Sequence, residues 1–174
     1  AGGTERQVAS ANPSTPEKAV LRRSLMGTVL EIIEKNARVR ESLAFFEIGS
    51  VFVPKTGDLP EEPRKLALAM TGRRQLPAWD VSDAPEMDFY DMKGVIDALL
   101  SGLGLRNPSY VPADTSVQPG MAFHPGKSAD VVVNGVTVGT FGELHPVAAE
   151  KFEFGDTPVL AAEFDLETLR NAQP

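Results

Sequence analysis

The first pattern in the chain is a run of apolar residues at helical spacing within residues 21–38. Leu25, Val29, Ile32 and Ile33 recur on one side, and Glu31, Glu34 and Lys35 fall on the other. This alternation predicts an amphipathic helix. Ser24 is a candidate N-cap, because its hydroxyl can accept a hydrogen bond from a free backbone N–H.

Residues 88–103 carry the clearest helical pattern. Asp88 precedes it as a candidate cap, and Gly104 follows it as a candidate stop. One wide apolar stripe contains Phe89, Met92, Val95, Ile96, Leu99, Leu100 and Leu103. We therefore expect one face of this helix to be buried.

Several other segments have the composition of β-strands, rich in β-branched and aromatic residues. Asn134-Gly135 separates two of them and suits a two-residue type I′ hairpin turn. The predicted strands are residues 43–53, 66–70, 129–133, 136–141 and 159–164. Helices segregated from a mostly antiparallel sheet define the α+β class.

The remaining segments predict loops. Residues 1–15 are small and polar and predict an extended lead-in, so that one core domain spans residues 16–170. Residues 72–87, which contain Trp79, predict a long polar loop, and residues 108–123 predict little regular structure.

Composition excludes several functional classes. The 174 residues contain no cysteine, which excludes disulfides and thiolate chemistry and is compatible with a cytoplasmic protein. No apolar run is long enough to cross a bilayer, so no membrane partner is expected. The net charge is −7, with +1 in residues 1–60 and −8 in residues 61–174. An acidic body disfavours non-specific nucleic-acid binding, but leaves a basic patch possible in the first sixty residues.

The two histidines are the first candidates for chemistry. His124 and His145 each precede a proline, and Glu143 lies near His145 in sequence. Together they could bind a metal, but a closed site needs four ligands in fixed geometry. The favoured interpretation is that both histidines hydrogen-bond the backbone in turns.

Gly102-Leu103-Gly104 superficially suggests a phosphate-binding loop. Such loops need glycines that lead into a helix N-terminus, where free N–H groups point outward. Here the glycines follow a helix, which favours a helix stop. No Gly-x-Ser-x-Gly nucleophile motif is present either.

Six segments, in this order and spacing, resemble the β subunit of bacterial phenylalanyl-tRNA synthetase. The resemblance extends from about Asn12 to Leu169. The segments are Asn12-Pro13, Leu21–Leu25, Phe46–Phe52, Asp88–Gly94, His124–Ala129 and Gly142–Pro146.

The resemblance implies a class II aminoacyl-tRNA synthetase-like core, an antiparallel sheet flanked by helices. In this family the β-subunit core copies the catalytic fold without catalysing, and packs against the α subunit in an (αβ)₂ heterotetramer. ATP and magnesium would serve the parent complex, and tRNA would be reached through it. The long first-motif helix that forms family interfaces is missing, so self-association of the isolated chain is expected.

The sequence departs from a catalytic copy at one informative position. Where the catalytic subunit carries an arginine after its Gly-x-Val-aromatic strand, this chain has Val53 and Pro54. A valine cannot stabilise charge that develops on a phosphate. We therefore expect no catalytic, cofactor-binding or metal-binding residue in this chain.

The candidate functional residues form two groups. A docking or structural role is implied for Arg22, Glu47, His124, Lys127, Glu143 and His145. The alternative is a tRNA-contacting module, in which Arg22 would act with Arg23, Lys35, Arg38 and Arg40. Motif membership alone does not separate docking from folding.

Overall fold

A computed structural model describes residues 22–55, 59–76, 78–80, 83–114 and 123–173 of the chain. The predicted lead-in, residues 1–15, lies outside them. The centre of the described structure is a six-stranded, fully antiparallel sheet in the order β1-β2-β6-β5-β4-β3. Its strands are β1 (Ser42–Ser50), β2 (Arg64–Gly72), β3 (Ser109–Pro112), β4 (Phe123–Val133), β5 (Val136–Leu144) and β6 (Val159–Asp165). The last strand in sequence thus lies in the middle of the sheet.

The predicted strands are present, with some changed boundaries. The strand predicted over residues 43–53 ends at Ser50, and Val53 forms an isolated bridge with Glu61. The β4–β5 hairpin extends beyond the predicted ranges. Asn134 and Gly135 have φ angles of 51° and 79° at its turn, as a type I′ turn requires.

The prediction of little regularity over residues 108–123 is wrong at Ser109–Pro112, which pairs with β4 as strand β3. Three prolines in that stretch disfavoured a strand. An edge strand tolerates proline, however, because half of its N–H groups need no ladder partner. The pairing is therefore a tertiary effect that local sequence does not reveal.

Within the described residues, four helices accompany the sheet: α1 (Met26–Ala37), α2 (Phe89–Gly102), α3 (Pro146–Ala149) and α4 (Leu166–Asn171). The sequence predicted only the first two. Helix α1 begins later than expected, and its N-cap is Leu25; Ser24 is not the cap, although its hydroxyl accepts a hydrogen bond from the Met26 N–H at 3.0 Å.

Helix α2 is terminated as the sequence predicted. The Leu105 N–H donates to the Leu100 carbonyl at 2.9 Å, and the Gly104 N–H donates to the Ser101 carbonyl at 3.0 Å. With Gly104 at a φ of 77°, these bonds form a Schellman motif. The glycines near residue 102 are a helix stop.

The two faces of the sheet bury two separate apolar clusters. Helices α2 and α4 cover one face, where Ile96, Phe141 and Phe164 are fully buried; we call it the α2 face. Helix α1 covers the other, the α1 face, where Leu25 and Val51 are fully buried. No helix in the described part of the chain is long and apolar enough to cross a membrane.

Candidate functional site

Three segments that are distant in sequence line one open cavity of about 290 Å³. Asp88–Tyr90 comes from the start of α2, Gly126–Ser128 from β4 and Glu143 from β5. We call this cavity the motif pocket, because each contributor belongs to one of the segments that carry the family resemblance. Antiparallel pairing of β4 and β5, with Ser128 opposite Gly142, brings two of them together.

An ion pair crosses the wall of the motif pocket. Lys127 Nζ lies 2.7 Å from Glu143 Oε2. The Glu143 side chain is 16% exposed and that of Lys127 is 50% exposed, so solvent screens the pair and limits its contribution to at most about 1 kcal/mol. The pair therefore mainly orients two side chains at the pocket.

His124 and His145 lie beside each other near this pocket. Their ring centroids are 6.1 Å apart, with the planes inclined by 27°. The Nδ1 atom of His124 accepts a hydrogen bond from the Gly126 N–H at 3.1 Å. That of His145 accepts one from the Val147 N–H at 3.2 Å, at the start of α3. Each imidazole thus stabilises the turn that follows it.

The metal-site alternative gains no support from this geometry. Within the described ranges, no three His, Cys, Asp or Glu side chains are grouped as a metal site would require. Both Nδ1 atoms are engaged by the backbone, and Glu143 is paired with Lys127.

The start of α2 is fixed by a capping box. The Asp88 carboxylate accepts from the Tyr90 and Asp91 N–H groups, and Asp91 accepts from the Asp88 N–H at 2.7 Å. Arg74 Nε adds an ion pair to Asp91 at 2.8 Å. Burial raises the pKa of the Asp91 carboxyl, but the hydrogen bonds from Arg74 and the Asp88 backbone outweigh it, so this pKa lies below its ordinary value. Sequence reasoning identified Asp88 but missed Arg74.

Arg22 and Glu47 lie away from the motif pocket, at the β1 end of the described sheet. Arg22 Nη1 is 2.7 Å from Glu47 Oε1, and Arg22 Nε donates to the Ser50 carbonyl at 3.1 Å. A Cβ at Gly49 would come within 2.5 Å of Arg22 Nη2, so a larger residue there would require the guanidinium to shift. Strands β2 and β6 separate β1 from β5, so the candidate docking residues form two groups.

The basic residues of the tRNA alternative are also divided. Arg22 and Arg23 precede α1, whereas Lys35, Arg38 and Arg40 lie in its last turn or after it, about 18 Å away at 1.5 Å per residue. Arg38 is already paired with Glu153 at 2.5 Å. The structure thus brings these side chains to two ends of one helix.

One further residue, Glu163 on β6, connects the sheet to α1. Its Oε1 accepts from the Ser24 hydroxyl at 2.8 Å and from the Leu25 N–H at 2.9 Å. A carboxylate at a helix N-terminus is favourable for the helix dipole. Because 138 residues separate Glu163 from Leu25 in sequence, no local signal could have identified this contact.

Comparison with known proteins identifies relatives over almost the whole chain. A family profile described as the phenylalanyl tRNA synthetase beta chain CLM domain matches residues 2–166. The phenylalanine–tRNA ligase beta subunit of Geobacter sulfurreducens is 38% identical over 172 residues, which cover 98% of this chain. The corresponding subunit of Bacillus cereus is 39% identical over 153 residues, or 86% of this chain.

The chain spans about a fifth of the length of these curated relatives, 21% for the Geobacter sulfurreducens protein and 18% for the Bacillus cereus protein. Among solved structures, pyrrolysyl-tRNA synthetase from Desulfitobacterium hafniense aligns with 94% of this chain and 52% of its own, with a TM-score of 0.65 and 19% identity. At that identity the likeness establishes the fold, a class II synthetase-like antiparallel sheet with helices.

Proposed function

Because the chain belongs to the family of phenylalanyl-tRNA synthetase β-chain CLM domains, we propose that it is a docking module that supports phenylalanine–tRNA ligation without catalysing. Its partner would be the catalytic α subunit, and tRNA would be reached through the parent complex. The site of action would be the cytoplasm, where proteins are synthesised. The domain would span residues 16–170.

The observation that carries this proposal is the convergence of Asp88–Tyr90, Gly126–Ser128 and Glu143 at the motif pocket. Tyr90 is 73% exposed there, although aromatic side chains usually bury much of their surface. Exposed aromatic residues beside a charged pair are typical of contact surfaces between proteins. We assign the docking role to this surface and a positioning role to His124 and His145, which hold its turns.

Catalytic silence is supported by what occupies the α1 face. Leu25 and Val51 are fully buried there, so apolar side chains fill the space between α1 and the sheet. The backbone of Val53 is hydrogen-bonded to the backbone of Glu61, and the valine side chain cannot provide positive charge to a phosphate. Among the described residues, no three His, Cys, Asp or Glu side chains are grouped as a metal site would require, and we assign no ATP or magnesium site to this domain. The parent complex would bind both elsewhere.

The test is the affinity of the purified chain for the catalytic α subunit, measured by titration calorimetry. His145→Ala and Tyr90→Ser should each weaken binding at least tenfold, while circular dichroism and the thermal midpoint report an intact fold. The matched control is Val136→Ser, at the exposed tip of the β4–β5 hairpin. If Tyr90→Ser folds and binds as tightly as the control, the docking assignment is wrong. If His145→Ala merely unfolds the chain, His145 has only a structural role.

ATP–pyrophosphate exchange tests the absence of catalysis separately. The pure chain should show no phenylalanine-dependent exchange above a blank. Any exchange that a preparation lacking the α subunit supports would contradict the proposal that this module does not react.

A further inference from the structure

The tip of the β4–β5 hairpin is a short unit that lies beyond an irregularity in the ladder. The strand register shifts between Val131 and Val132, and only two residue pairs, the last of them Val133 with Val136, separate this shift from the turn. A register shift of this kind interrupts the run of ladder hydrogen bonds. The Val136 side chain is 51% exposed, so little packing holds it. The tip can therefore open locally while the rest of the sheet stays folded.

The turn at this tip carries a reactive pair of residues. Asn134 and Gly135 form the one Asn-Gly sequence in the chain, and both are exposed. The carbon of an asparagine side-chain amide can be attacked by the backbone nitrogen of the next residue, which closes a succinimide ring. Glycine permits this attack most readily, because it has no Cβ to obstruct the approach and its backbone is flexible.

The closed turn holds the two reacting groups apart. The φ angles of 51° at Asn134 and 79° at Gly135 are those of a type I′ turn, in which ψ of the first central residue is about 30°. At that ψ the Gly135 nitrogen lies on the opposite side of the Cα–C bond from the Asn134 Cβ, whereas ring closure needs both on the same side. The amide is also held in place, because Asn134 Nδ2 donates to the Ala172 carbonyl at 3.3 Å. Ring closure therefore requires the turn to open.

We propose that Asn134 is a site of spontaneous deamidation whose rate is set by the opening of the hairpin tip. In the open state, the Gly135 nitrogen loses its proton and forms a bond to Cγ of Asn134. The bond from Cγ to Nδ2 then breaks, and the amide nitrogen leaves as ammonia with the proton that Gly135 lost. Water adds to either carbonyl of the succinimide and opens the ring, which yields aspartate or isoaspartate. The only co-reactant is water, and no group is oxidised or reduced.

Neither product restores the contacts of the native tip. Isoaspartate directs the main chain through Cγ and thus adds a methylene to a turn of two residues. Aspartate keeps the length of the turn but replaces the Nδ2 donor with an acceptor that faces the Ala172 carbonyl. Ala172 is the C-cap of α4, and a negative charge at a helix C-terminus is unfavourable. Deamidation therefore weakens the contact between the hairpin and α4 irreversibly.

The other asparagines of the chain serve as internal references. Asn36 and Asn171 precede alanine, whose Cβ hinders the attack, and Asn12 and Asn107 precede proline, which has no N–H to lose. All four should remain amides while Asn134 converts. The inference requires no partner and does not depend on the proposed function.

Peptide mapping by mass spectrometry tests the proposal on the purified chain, incubated at mildly alkaline pH in water labelled with heavy oxygen. Residue 134 should gain a carboxylate that contains one labelled oxygen, as a mixture of aspartate and isoaspartate. Conversion in the folded chain should be at least tenfold slower than in an unstructured peptide of residues 130–140 or in the chain unfolded by urea, because only the open fraction reacts.

A matched pair of variants tests whether local opening sets the rate. Val136→Gly weakens the strand beside the turn and should accelerate conversion about two- to fivefold. The control is Val111→Gly on β3, where a valine that is 43% exposed also pairs with β4, away from the turn. It should leave the rate unchanged. Dividing each rate by that of an unstructured peptide with the matching sequence removes any direct effect of the Val136 substitution on the chemistry.

Three outcomes would overturn the proposal. The first is conversion of Asn134 in the folded chain at the rate of the unstructured peptide, since the turn would then give no protection. The second is equal acceleration by the two valine variants, which would make opening of the whole sheet, and not of the tip, the controlling step. The third is a folded chain in which Asn36 or Asn171 converts before Asn134.

Discussion

The hydroxyl of Tyr110 on β3 donates a hydrogen bond to a carboxylate oxygen of Asp97 on α2. Lys93 completes the network, with its Nζ 2.7 Å from the other Asp97 oxygen and 4.4 Å from the centre of the Tyr110 ring. This network connects the short edge strand to the helix that covers the α2 face.

We expect Tyr110→Phe to lower the free energy of unfolding by about 1 kcal/mol, because it removes a hydrogen bond to a partly exposed carboxylate. Urea denaturation of Tyr110→Phe, Asp97→Asn and the double variant should yield a stabilising coupling between the two residues. Tyr90→Phe is the matched control and should change little. An equal loss in that control would contradict the assignment.

The same contact predicts a titration. Burial, and then the Asp97 carboxylate, raise the pKa of the Tyr110 phenol above its ordinary value. Because the folded state holds the phenol proton more tightly, the contact adds stability at pH values below the unfolded-state pKa, which is near 10. That stability is lost as pH rises from there toward the folded-state pKa. In an absorbance titration, Asp97→Asn should shift the Tyr110 transition back toward lower pH.

Asp165 should make the protein sensitive to acid. It accepts hydrogen bonds from the Thr168 N–H at 2.8 Å and from Lys65 Nζ at 3.1 Å. Burial raises its pKa, but these bonds outweigh that effect and leave it below the ordinary value of 3.8. Its stabilisation is thus complete above that value and is lost as pH falls through the folded pKa.

Asp165→Asn should therefore flatten the fall in unfolding free energy between about pH 5 and pH 2, measured by urea denaturation. At neutral pH it should cost at most about 1 kcal/mol through the lost ion pair with Lys65, because asparagine still caps α4. Asp156→Asn, at an exposed position, serves as the control. An unchanged slope for Asp165→Asn would show that other carboxylates govern acid unfolding.

Two glycines should respond to alanine in opposite directions. Gly94 lies inside α2 with nothing within 4 Å of an added Cβ, so Gly94→Ala should stabilise by about 0.5–1 kcal/mol. At Gly139 a Cβ would meet the buried Phe164 ring at 2.3 Å, so Gly139→Ala should destabilise by about 1–3 kcal/mol. Thermal unfolding of Gly94→Ala and Gly139→Ala measures the two stability changes. If both variants are stabilised or both are destabilised, this explanation is wrong.

Nuclear magnetic resonance can check the histidine turns. Since the Nδ1 atoms of His124 and His145 accept backbone N–H groups, each neutral ring should carry its proton on Nε2. Long-range nitrogen–proton spectra distinguish the two tautomers. A signal from the Nδ1–H form at either residue would mean that its turn bond is absent in solution.

The tRNA alternative stays open to a simple assay. The chain carries a net charge of −7, and Arg22 and Arg38 are in ion pairs. We therefore expect no retention of tRNA in filter binding at about 50 mM salt, where phosphate contacts are still strong. Retention that Arg40→Glu abolishes and Arg64→Glu leaves intact would instead favour a nucleic-acid module.

Local signals predicted the elements that are stable through short-range contacts. Helix α2 has its cap, stripe and stop within seventeen residues, and the Asn134-Gly135 turn determines its hairpin. Strand β3 and helix α4 escaped prediction because they are short and depend on distant partners. Tyr110 reaches Asp97, and Asp165 reaches Lys65 at a sequence separation of 100 residues.

The candidate site was predictable as a set of segments but not as a surface. Motif spacing identified His124–Ala129 and Gly142–Pro146, and strand pairing then brought them together. Motif spacing could not reveal that Arg22 and Glu47 lie at the β1 end of the sheet, away from the motif pocket. That separation follows from the strand order, in which β2 and β6 lie between β1 and β5.

The central position of β6 has a consequence for biosynthesis. A nascent chain can form the β1–β2 and β4–β5 hairpins as they leave the ribosome, but the strand that joins them is made last. Until then each hairpin exposes an edge that β6 will occupy, and closure depends on contacts of long sequence separation, which form slowly. A ribosome stalled before residue 159 would therefore hold both hairpins without the strand that joins them.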